Sequence, residues 1–319
     1  MNVLEKERLV VIVGPTSVGK TELSLELAEA FRGEIISGDS MQVYRGMDIG
    51  TAKATPAELA RVPHHLIDIL DPDEEYSVAL FQESATRLIS EINARGHLPM
   101  IVGGTGLYIE SVTHRFQFAN AKQDPELRSR LQKLAEIEGV EELHRRLDDV
   151  DPITAERLHP NDVKRVIRAL EIYELTGMRM SEYQHRAEYS PYNLYMIGLT
   201  MEREKLYERI NQRVDKMIEA GLIEEVRRLL DLGYESGYTS MQGLGYKELI
   251  PYLYGEIPLE KAINDIKQRT RHFAKRQLSW FRRMSDVEWF DVTNPEDRPK
   301  IVQTIKQIMA GKFPQLPNI

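Results

Sequence analysis

The feature that most constrains this chain is a glycine-rich segment near its start, GPTSVGKT, which spans Gly14 to Thr21. It matches the pattern G-x-x-x-x-G-K-[ST], directly follows the apolar run LVVIV, and opens a pattern predicted to be helical. In such a loop, backbone N–H groups converge on one anion, the helix dipole and the Lys20 charge attract it, and the Thr21 hydroxyl can ligate Mg²⁺. The segment therefore predicts a phosphate-binding P-loop. Its residues are Gly14, Pro15, Thr16, Ser17, Val18, Gly19, Lys20 and Thr21.

The remainder of the chain predicts an α/β fold of the P-loop NTPase-like kind, with a parallel sheet covered by helices. Short β-branched apolar runs alternate with apolar residues at helical spacing, which is typical of buried parallel strands and their crossover helices. The predicted strands are residues 9–13, 34–37, 65–69, 98–102, 194–199 and 287–291. The predicted helices include 21–31, 77–94 and one long amphipathic helix over 205–232.

This alternation fails between about residues 113 and 190, where charged helical segments follow one another without a strand. These segments cover residues 124–137, 140–148 and 161–176. Since the strand pattern resumes afterwards, we predict a core domain of residues 1–112 and 191–319 with a helical module, residues 113–190, inserted into it.

Composition excludes several classes of site and location. The chain has no cysteine, so disulfides, thiolate zinc sites and thiol nucleophiles are excluded, and any metal must bind oxygen or imidazole. The N-terminal apolar stretch is five residues long and no run reaches eighteen, which predicts neither a signal peptide nor a membrane span and favours the cytoplasm. A net charge of -8 argues against a protein coated in nucleic acid, unless a local surface is basic.

Two further polar loops follow predicted strands. Asp39 comes directly after the second strand, where its carboxylate could bind Mg²⁺, accept a proton or cap a turn. Ser40 and Gln42 carry groups suited to a purine edge, and the glycine-rich turn IVGGTGLY after the fourth strand carries Thr105. Because the carboxyl ends of parallel strands share one edge of the sheet, we expect these loops and the P-loop to form one pocket.

Cations are concentrated in a segment predicted to be one helix near the end of the chain. They are interleaved with Phe273, Trp280 and Phe281, and Asp265 is the one acidic residue beside them. The cations are Lys267, Arg269, Arg271, His272, Lys275, Arg276, Arg282 and Arg283. This segment predicts either a polyanion site or a solvated, salt-bridged face. The loop SMQGLGYKEL, with Gln242, Tyr246 and Lys247, is either a tight turn or a surface close to a ligand.

Six motifs, taken in order, resemble the bacterial tRNA dimethylallyltransferases over nearly the whole chain. They are GPTSVGKT, GDSMQVYRGMDIGTAK, PHHLIDI, IVGGTGLYI, NDVKRVIRALEIYELTG and TRHFAKRQLSWFR. The resemblance implies transfer of a dimethylallyl group from dimethylallyl diphosphate to N6 of adenosine 37, in the anticodon stem-loop of tRNA. It implies that Mg²⁺ assists, and no protein partner is expected.

The predicted roles follow from this reaction. An adenine amine is a poor nucleophile, so Asp39 would accept its proton, while Lys20 and Mg²⁺ on Thr21 would stabilise the departing diphosphate. Thr105, and by resemblance Arg128, would hold the leaving group or the tRNA. The predicted tRNA contacts are Asp39, Ser40, Met41, Gln42, Thr105, Arg128, Val163, Lys164, Arg165, Val166, Ile167, Arg276 and Arg282.

Three alternatives use the same P-loop. A small-molecule kinase would use the P-loop and Asp39 for phosphoryl transfer, but it leaves the basic segment unexplained. A metal-binding aspartate for such a kinase is ambiguous, since residues 66–68 offer the one candidate strand. An RNA-binding NTPase switch would require ATP or GTP. An adenylate prenyltransferase acting on free nucleotide would have no use for the helical module or the basic helix.

Overall fold

The computed structural model describes residues 6–114, 116, 123–183 and 189–314. The chain divides into two compact units, which we call the core unit (Met1–Thr113 and Ser190–Ile319) and the helical unit (His114–Tyr189). The helical unit covers the segment predicted to be an inserted module.

The core unit contains a six-stranded sheet in which every neighbouring pair is parallel, in the order β3-β2-β4-β1-β5-β6. The strands are β1 (Arg8–Val13), β2 (Gly33–Ser37), β3 (His64–His65), β4 (Leu98–Gly103), β5 (Asn193–Thr200) and β6 (Val287–Asp291). The predicted α/β fold is therefore confirmed.

Helices surround the sheet and also form the helical unit. They are α1 (Lys20–Phe31), α2 (Pro56–Arg61), α3 (Val78–Ala94), α4 (Gly106–Thr113), α5 (Pro125–Glu138), α6 (Val140–Val150), α7 (Pro152–Arg157), α8 (Val163–Thr176), α9 (Met180–Tyr183), α10 (Arg203–Glu219), α11 (Leu222–Asp231), α12 (Tyr246–Leu253), α13 (Leu259–Phe281) and α14 (Arg298–Lys312). In the described part of the chain, none of them is both long and apolar enough to span a bilayer.

From Leu9 to Val13, strand β1 is buried on both faces, which explains why these five residues are all apolar. Val10 and Ile12 point to one face and pack with the apolar side of α1 and with α14. Leu9, Val11 and Val13 point to the other face and pack with α3 and α4. Successive side chains of a strand alternate between faces, so a central strand with helices on both sides has no polar position. The P-loop therefore starts from the rigid centre of the unit.

The helical unit has its own apolar core. Leu127 and Leu131 of α5, Leu143 and Leu147 of α6, and Val166 of α8 are among the residues buried in it. Helix α5 begins as its sequence indicates, since the Asp124 carboxylate accepts the backbone N–H groups of Glu126 and Leu127 and Pro125 occupies the first turn. The segment is thus a packed helical module rather than a loop.

Three predictions about elements need correction. Strand β3 has only two residues, because Leu66 and Asp68 have φ angles of 61° and 54°, which an extended strand cannot include. The long helix predicted over 205–232 is broken at Gly221, whose φ is 99°, into α10 and α11. Helix α13 ends at Phe281, so Arg282 and Arg283 lie beyond the basic helix rather than in it.

Candidate active site

The P-loop connects β1 to α1 and adopts a conformation that its glycines permit. Gly14 and Gly19 have φ angles of 145° and 108°. A Cβ atom on Gly14 would lie 2.6 Å from the carbonyl oxygen of Leu199 in β5, so only glycine fits there. Ser17 also has a positive φ, 66°, and within the described part of the chain its buried hydroxyl has no hydrogen-bond partner. This hydroxyl is therefore available to a ligand oxygen.

Lys20, the first residue of α1, lies folded against its own loop. Its Nζ donates to the carbonyl oxygens of Gly14, at 2.9 Å, and Pro15, at 2.8 Å. Burial and, to a smaller extent, the charge of the nearby Arg213 lower the pKa of Lys20 against the opposing effect of Asp39, and the pKa that results is about 7. An anion bound next to Lys20 would therefore stabilise the charged form of its side chain.

Asp39 follows β2, as predicted, and its side chain is oriented by a local turn. Its Oδ1 accepts the backbone N–H of Met41 at 2.8 Å. Burial raises the pKa of Asp39, although the Met41 N–H and the charges of Lys20 and Arg213 act against this rise. The carboxylate is therefore a stronger proton acceptor than an exposed aspartate.

Thr105 lies in the turn after β4, which packs directly on the Asp39 loop. Its backbone N–H donates to the carbonyl oxygen of Gly38 at 3.3 Å, and its Oγ1 accepts the N–H of Ser40 at 3.3 Å. A Cβ atom on Gly103 would lie 2.3 Å from the Gly38 carbonyl oxygen. The glycine at this position allows the two loops to approach each other.

The P-loop, the Asp39 loop and the Gly103–Gly104 turn enclose one cavity of about 480 Å³. The structure thus brings the predicted loops together at the carboxyl edge of the sheet. The predicted residues that line the cavity are Thr16, Ser17, Val18, Gly19, Lys20, Thr21, Asp39 and Gln42. Gly14, Pro15, Ser40, Met41 and Thr105 flank them in the same loops.

Gln42 has a different role from the one predicted. Its Oε1 accepts the hydroxyl of Ser37 at 2.8 Å, and its Nε2 donates to the carbonyl oxygen of Thr51 at 3.2 Å. Since these contacts engage both ends of the amide, the predicted contact of Gln42 with a purine edge is not supported. Gln42 instead braces the segment 51–54, which forms another wall of the cavity.

The residues just before this segment are bound by a buried carboxylate, that of Glu225 in α11. It accepts the backbone N–H groups of Asp48 and Ile49 at 3.0 and 2.8 Å, that of Gly50 at 3.1 Å, and the hydroxyl of Tyr246 at 2.6 Å. Tyr246 is fully buried, and a Cβ atom on Gly50 would clash with its ring at 2.5 Å. The tyrosine of the SMQGLGYKEL loop is therefore a packing residue that supports the cavity wall.

Sequence reasoning missed the helical side of the cavity. Helix α10 contributes Arg209, Gln212, Arg213 and Lys216, and α13 contributes Phe273 and Gln277. Burial lowers the pKa of Arg213 while Asp39 acts in the opposite direction, so the cavity holds a second cation beside Lys20. The spacing of the α10 residues, i, i+3, i+4 and i+7, is a polar stripe on one helix face. This polar stripe is visible in the sequence. The helix was nevertheless interpreted only from its apolar stripe, which predicts packing.

Comparison with known proteins places the chain in a family. A family model described as IPP transferase matches residues 42–284. The chain belongs to the IPP transferase family. The tRNA dimethylallyltransferase of Halalkalibacterium halodurans is 53% identical over 310 residues, covering 97% of this chain and 98% of the relative. That of Carboxydothermus hydrogenoformans is 55% identical over 301 residues, covering 94% and 96%.

Solved structures of similar proteins agree with this assignment. The full-length tRNA isopentenylpyrophosphate transferase from Bacillus halodurans has a TM-score of 0.73 at 53% identity, with 96% of this chain and 97% of the other covered. A eukaryotic dimethylallyltransferase acting on tRNA has a TM-score of 0.81 at 30% identity, with 98% and 81% covered. The family resemblance inferred from the motifs is thus confirmed.

Magnesium, which the resemblance to this family implies, requires oxygen ligands near the phosphate site. Among the described residues, no three His, Asp or Glu side chains form a group that could hold a metal ion. The side chains of Thr21 and Asp39 do line the same cavity. Because Mg²⁺ commonly keeps several waters and binds one or two protein oxygens together with substrate phosphates, this donor set fits an ion that arrives with the substrate.

The helical unit of this IPP transferase family member uses Arg128 as a structural residue. Its Nε and Nη2 form a bidentate pair with Glu171, each at 2.9 Å, and Glu171 is fully buried. Arg168 and the backbone N–H of Asp124 also bind this carboxylate, and despite the opposing effect of burial these partners lower its pKa. The guanidinium of Arg128 therefore neutralises a buried charge, and its predicted role as an RNA or diphosphate contact is not supported.

The predicted RNA contacts of α8 divide into two groups. The side chains of Val166 and Ile167 are 0% and 6% exposed and pack in the core of the helical unit, so they do not present a surface to RNA. Val163 is partly buried against the same core. Lys164 and Arg165 are exposed, and Arg165 pairs with Asp162 at 3.0 Å. Only the two cations remain candidates for RNA contact through their side chains.

The basic segment of α13 also divides into two groups. Lys267 pairs with Asp215 at 2.6 Å, and Arg269 with Glu248 at 3.4 Å, so part of the cationic surface is salt-bridged. Further along, Arg276 stacks over the ring of Phe273 at 5.8 Å. The exposed cations in this half are Lys275, Arg276, Arg282 and Arg283, and the exposed His272 lies beside them. The salt-bridged face is thus observed in the first half, and a polyanion site in the second half stays a prediction.

Proposed function

We propose that this protein transfers a dimethylallyl group from dimethylallyl diphosphate to the exocyclic N6 of an adenosine in tRNA, namely adenosine 37 beside the anticodon. One observation carries the proposal. A carboxylate with a raised pKa, Asp39, shares a cavity of about 480 Å³ with two half-buried basic side chains, Lys20 and Arg213. A proton acceptor and an anion cradle are the two groups that this reaction requires in one place.

The reaction balances with these groups. The N6 lone pair forms a bond to the first carbon of the allyl group, and the C–O bond to diphosphate breaks with its electron pair leaving on oxygen. Asp39 takes the proton that N6 loses. Lys20, Arg213 and the P-loop amides stabilise the charge that develops on the departing diphosphate. The phosphate loop thus serves as a leaving-group site.

Magnesium has a supporting role in this proposal. The Thr21 hydroxyl would hold an ion that also binds the diphosphate, and the ion would neutralise part of the phosphate charge. The protein would still provide the cations and the proton acceptor from its own side chains.

The surfaces proposed to bind RNA are the exposed cations of α13 and of the segment after it, together with Lys164 and Arg165 of the helical unit. Phosphate contacts from such cations supply affinity, while an unstacked loop base enters a pocket for chemistry. We propose that residues 113–190 form the module that contacts tRNA. A tRNA substrate also supports the predicted location in the cytoplasm.

A discriminating experiment uses dimethylallyl diphosphate labelled in the allyl group, Mg²⁺, and one of three acceptors: unmodified tRNA, AMP, or tRNA with adenosine 37 replaced by guanosine. The proposal predicts label only in unmodified tRNA. Label in AMP alone would indicate a prenyltransferase of free nucleotides. A parallel reaction contains labelled ATP and a small acceptor. Phosphate transfer there, without prenyl transfer to tRNA, would indicate a kinase.

A further inference from the structure

The side chain of Gln277, on the buried face of α13, connects two loops of the active site. Its Oε1 accepts the backbone N–H of Thr16 in the P-loop at 2.9 Å, and its Nε2 donates to the carbonyl oxygen of Gly104 at 3.0 Å. The side chain is 5% exposed. Both ends of the amide are therefore engaged with backbone groups of loops that are distant in sequence.

The turn after β4 is shaped to receive this helix. A Cβ atom on Gly104 would lie 2.0 Å from Gln277 Nε2, and one on Gly106 would lie 2.4 Å from the ring of Trp280. Trp280, one helical turn beyond Gln277, also donates from its indole Nε1 to Glu110 at 3.1 Å. The approach of α13 thus explains why glycines stand at positions 104 and 106 of this turn.

The contact has a direct consequence for the P-loop. The N–H of Thr16 is given to Gln277 and is not available to a phosphate. That bond fixes the peptide plane ahead of residues 17–21, which line the cavity. An anion site made of backbone amides depends on their orientation being set before the ligand arrives.

We propose that Gln277 is a positioning residue for the diphosphate site: from α13, it fixes the P-loop at Thr16 against the turn at Gly104. This inference rests on the proposed function, because it assigns the cavity to a diphosphate. The same helix carries the exposed cations Lys275 and Arg276 on its outer side. The helix proposed to bind RNA is therefore also the support of the phosphate loop.

The first test replaces Gln277 by methionine, which has a similar length and no amide. The matched control is Gln268→Met, an exposed glutamine of the same helix. Binding of inorganic diphosphate and of an anticodon stem-loop RNA is measured for each protein by calorimetry, with thermal unfolding to confirm that the variants are folded. We expect Gln277→Met to weaken diphosphate binding about tenfold, since a buried N–H loses its acceptor and the loop loses its anchor. Stem-loop affinity should change less than about twofold.

A second test perturbs the same contact from its other side. Gly104→Ala should displace the Gln277 amide and also weaken diphosphate binding. Gln277→Ala makes room for the added methyl group, so Gly104→Ala should have little further effect in that background. A double variant that loses no more diphosphate affinity than Gln277→Ala alone supports the contact. A double variant whose loss is the product of the two single losses contradicts it.

The outcomes separate this inference from the proposed function. If folded Gln277→Met binds diphosphate as tightly as the wild-type protein does, Gln277 is not a positioning residue, whatever reaction the protein performs. If the wild-type protein binds diphosphate but transfers no allyl group to tRNA, the proposed function fails while the positioning role stands. If the wild-type protein does not bind diphosphate, both are overturned.

Discussion

Asp39 and Lys20 face one cavity from two different loops, and each shifts the pKa of the other towards its charged form. Lys20 lowers the pKa of Asp39, and Asp39 raises the pKa of Lys20. Burial opposes both effects and favours the neutral forms. The pKa of Lys20 is thus lowered and that of Asp39 raised, which suits a site that must bind an anion and also accept a proton.

The lowered pKa of Lys20 predicts a pH dependence of diphosphate binding. The charged lysine binds the anion, and its pKa of about 7 means that it is mostly charged at pH 6 and mostly neutral at pH 8. We expect the affinity advantage of the wild-type protein over Lys20→Met to shrink about tenfold between pH 6 and pH 8. Comparison with Lys20→Met removes the titration of diphosphate itself. A constant ratio of the two affinities would contradict this account of Lys20.

The buried hydrogen bond between Tyr246 and Glu225 predicts a loss of stability on Tyr246→Phe. The substitution keeps the packing against Gly50 and removes one of the four donors to a buried carboxylate. The free energy of unfolding should fall by about 1–2 kcal/mol, measured by urea denaturation. The control Tyr254→Phe changes a tyrosine that is 66% exposed and should have almost no effect. Equal values for the two variants would refute the supporting role of Tyr246.

The assignment of Arg128 to structure also predicts a pH-dependent loss of stability. Arg128→Ala leaves buried Glu171 with Arg168 alone as its ionic partner. The free energy of unfolding should therefore fall by about 2–3 kcal/mol at pH 7. The pKa of Glu171 is lowered on folding from 4.5, so its stabilisation exists above that pH and is lost as the pH falls through the folded value. The loss of unfolding free energy caused by Arg128→Ala should therefore become smaller as the pH is lowered. Arg165→Ala, at an exposed pair, is the control.

If Arg128 instead contacts RNA, its replacement would weaken stem-loop binding without lowering the free energy of unfolding. Chemical denaturation and RNA binding measured on the same two variants distinguish these roles.

The cations beyond the middle of α13 predict a change in the salt dependence of RNA binding. Neutralising Arg276 and Arg282 as a pair to glutamine should lower the slope of log affinity against log salt by about one to two. Lys300→Gln, at an exposed position of α14, should leave the slope unchanged. The slopes come from filter binding of an anticodon stem-loop over a range of salt concentrations. If the Arg276 and Arg282 double variant has the same slope as the wild-type protein, these two cations do not contact RNA phosphates.

The parts of the site that the sequence predicted are those set by local chemistry and by sheet topology. The P-loop is a contiguous pattern, and Asp39 and Thr105 follow strands whose carboxyl ends must meet at one edge. Arg213 was missed because the apolar stripe of α10 was interpreted and its polar stripe was not, whereas Gln277 reaches the cavity through packing over a long sequence distance. Thr16 and Gln277, for example, are separated by 261 residues. No local pattern in a single sequence reports such a contact.

Other predictions were wrong for different reasons. Val166 and Ile167 belong to a motif, but the motif contains core positions as well as surface ones, and only packing separates them. The break at Gly221 was hidden because the apolar stripe continues across it, although a glycine with positive φ ends the helix. The short β3 reflects backbone angles at Leu66 and Asp68 that propensity does not report.

The most direct test of the central claim is the rate of allyl transfer by Asp39→Asn in a single turnover, with enzyme in excess over unmodified tRNA and saturating dimethylallyl diphosphate. Asparagine keeps the shape and cannot accept the N6 proton. We predict a rate about a hundredfold or more below that of the wild-type protein, with tRNA affinity within about threefold. Asp73→Asn, at an exposed aspartate, is the control and should react at the wild-type rate. A rate for Asp39→Asn within about threefold of the wild-type rate would contradict the assignment of Asp39 as the proton acceptor.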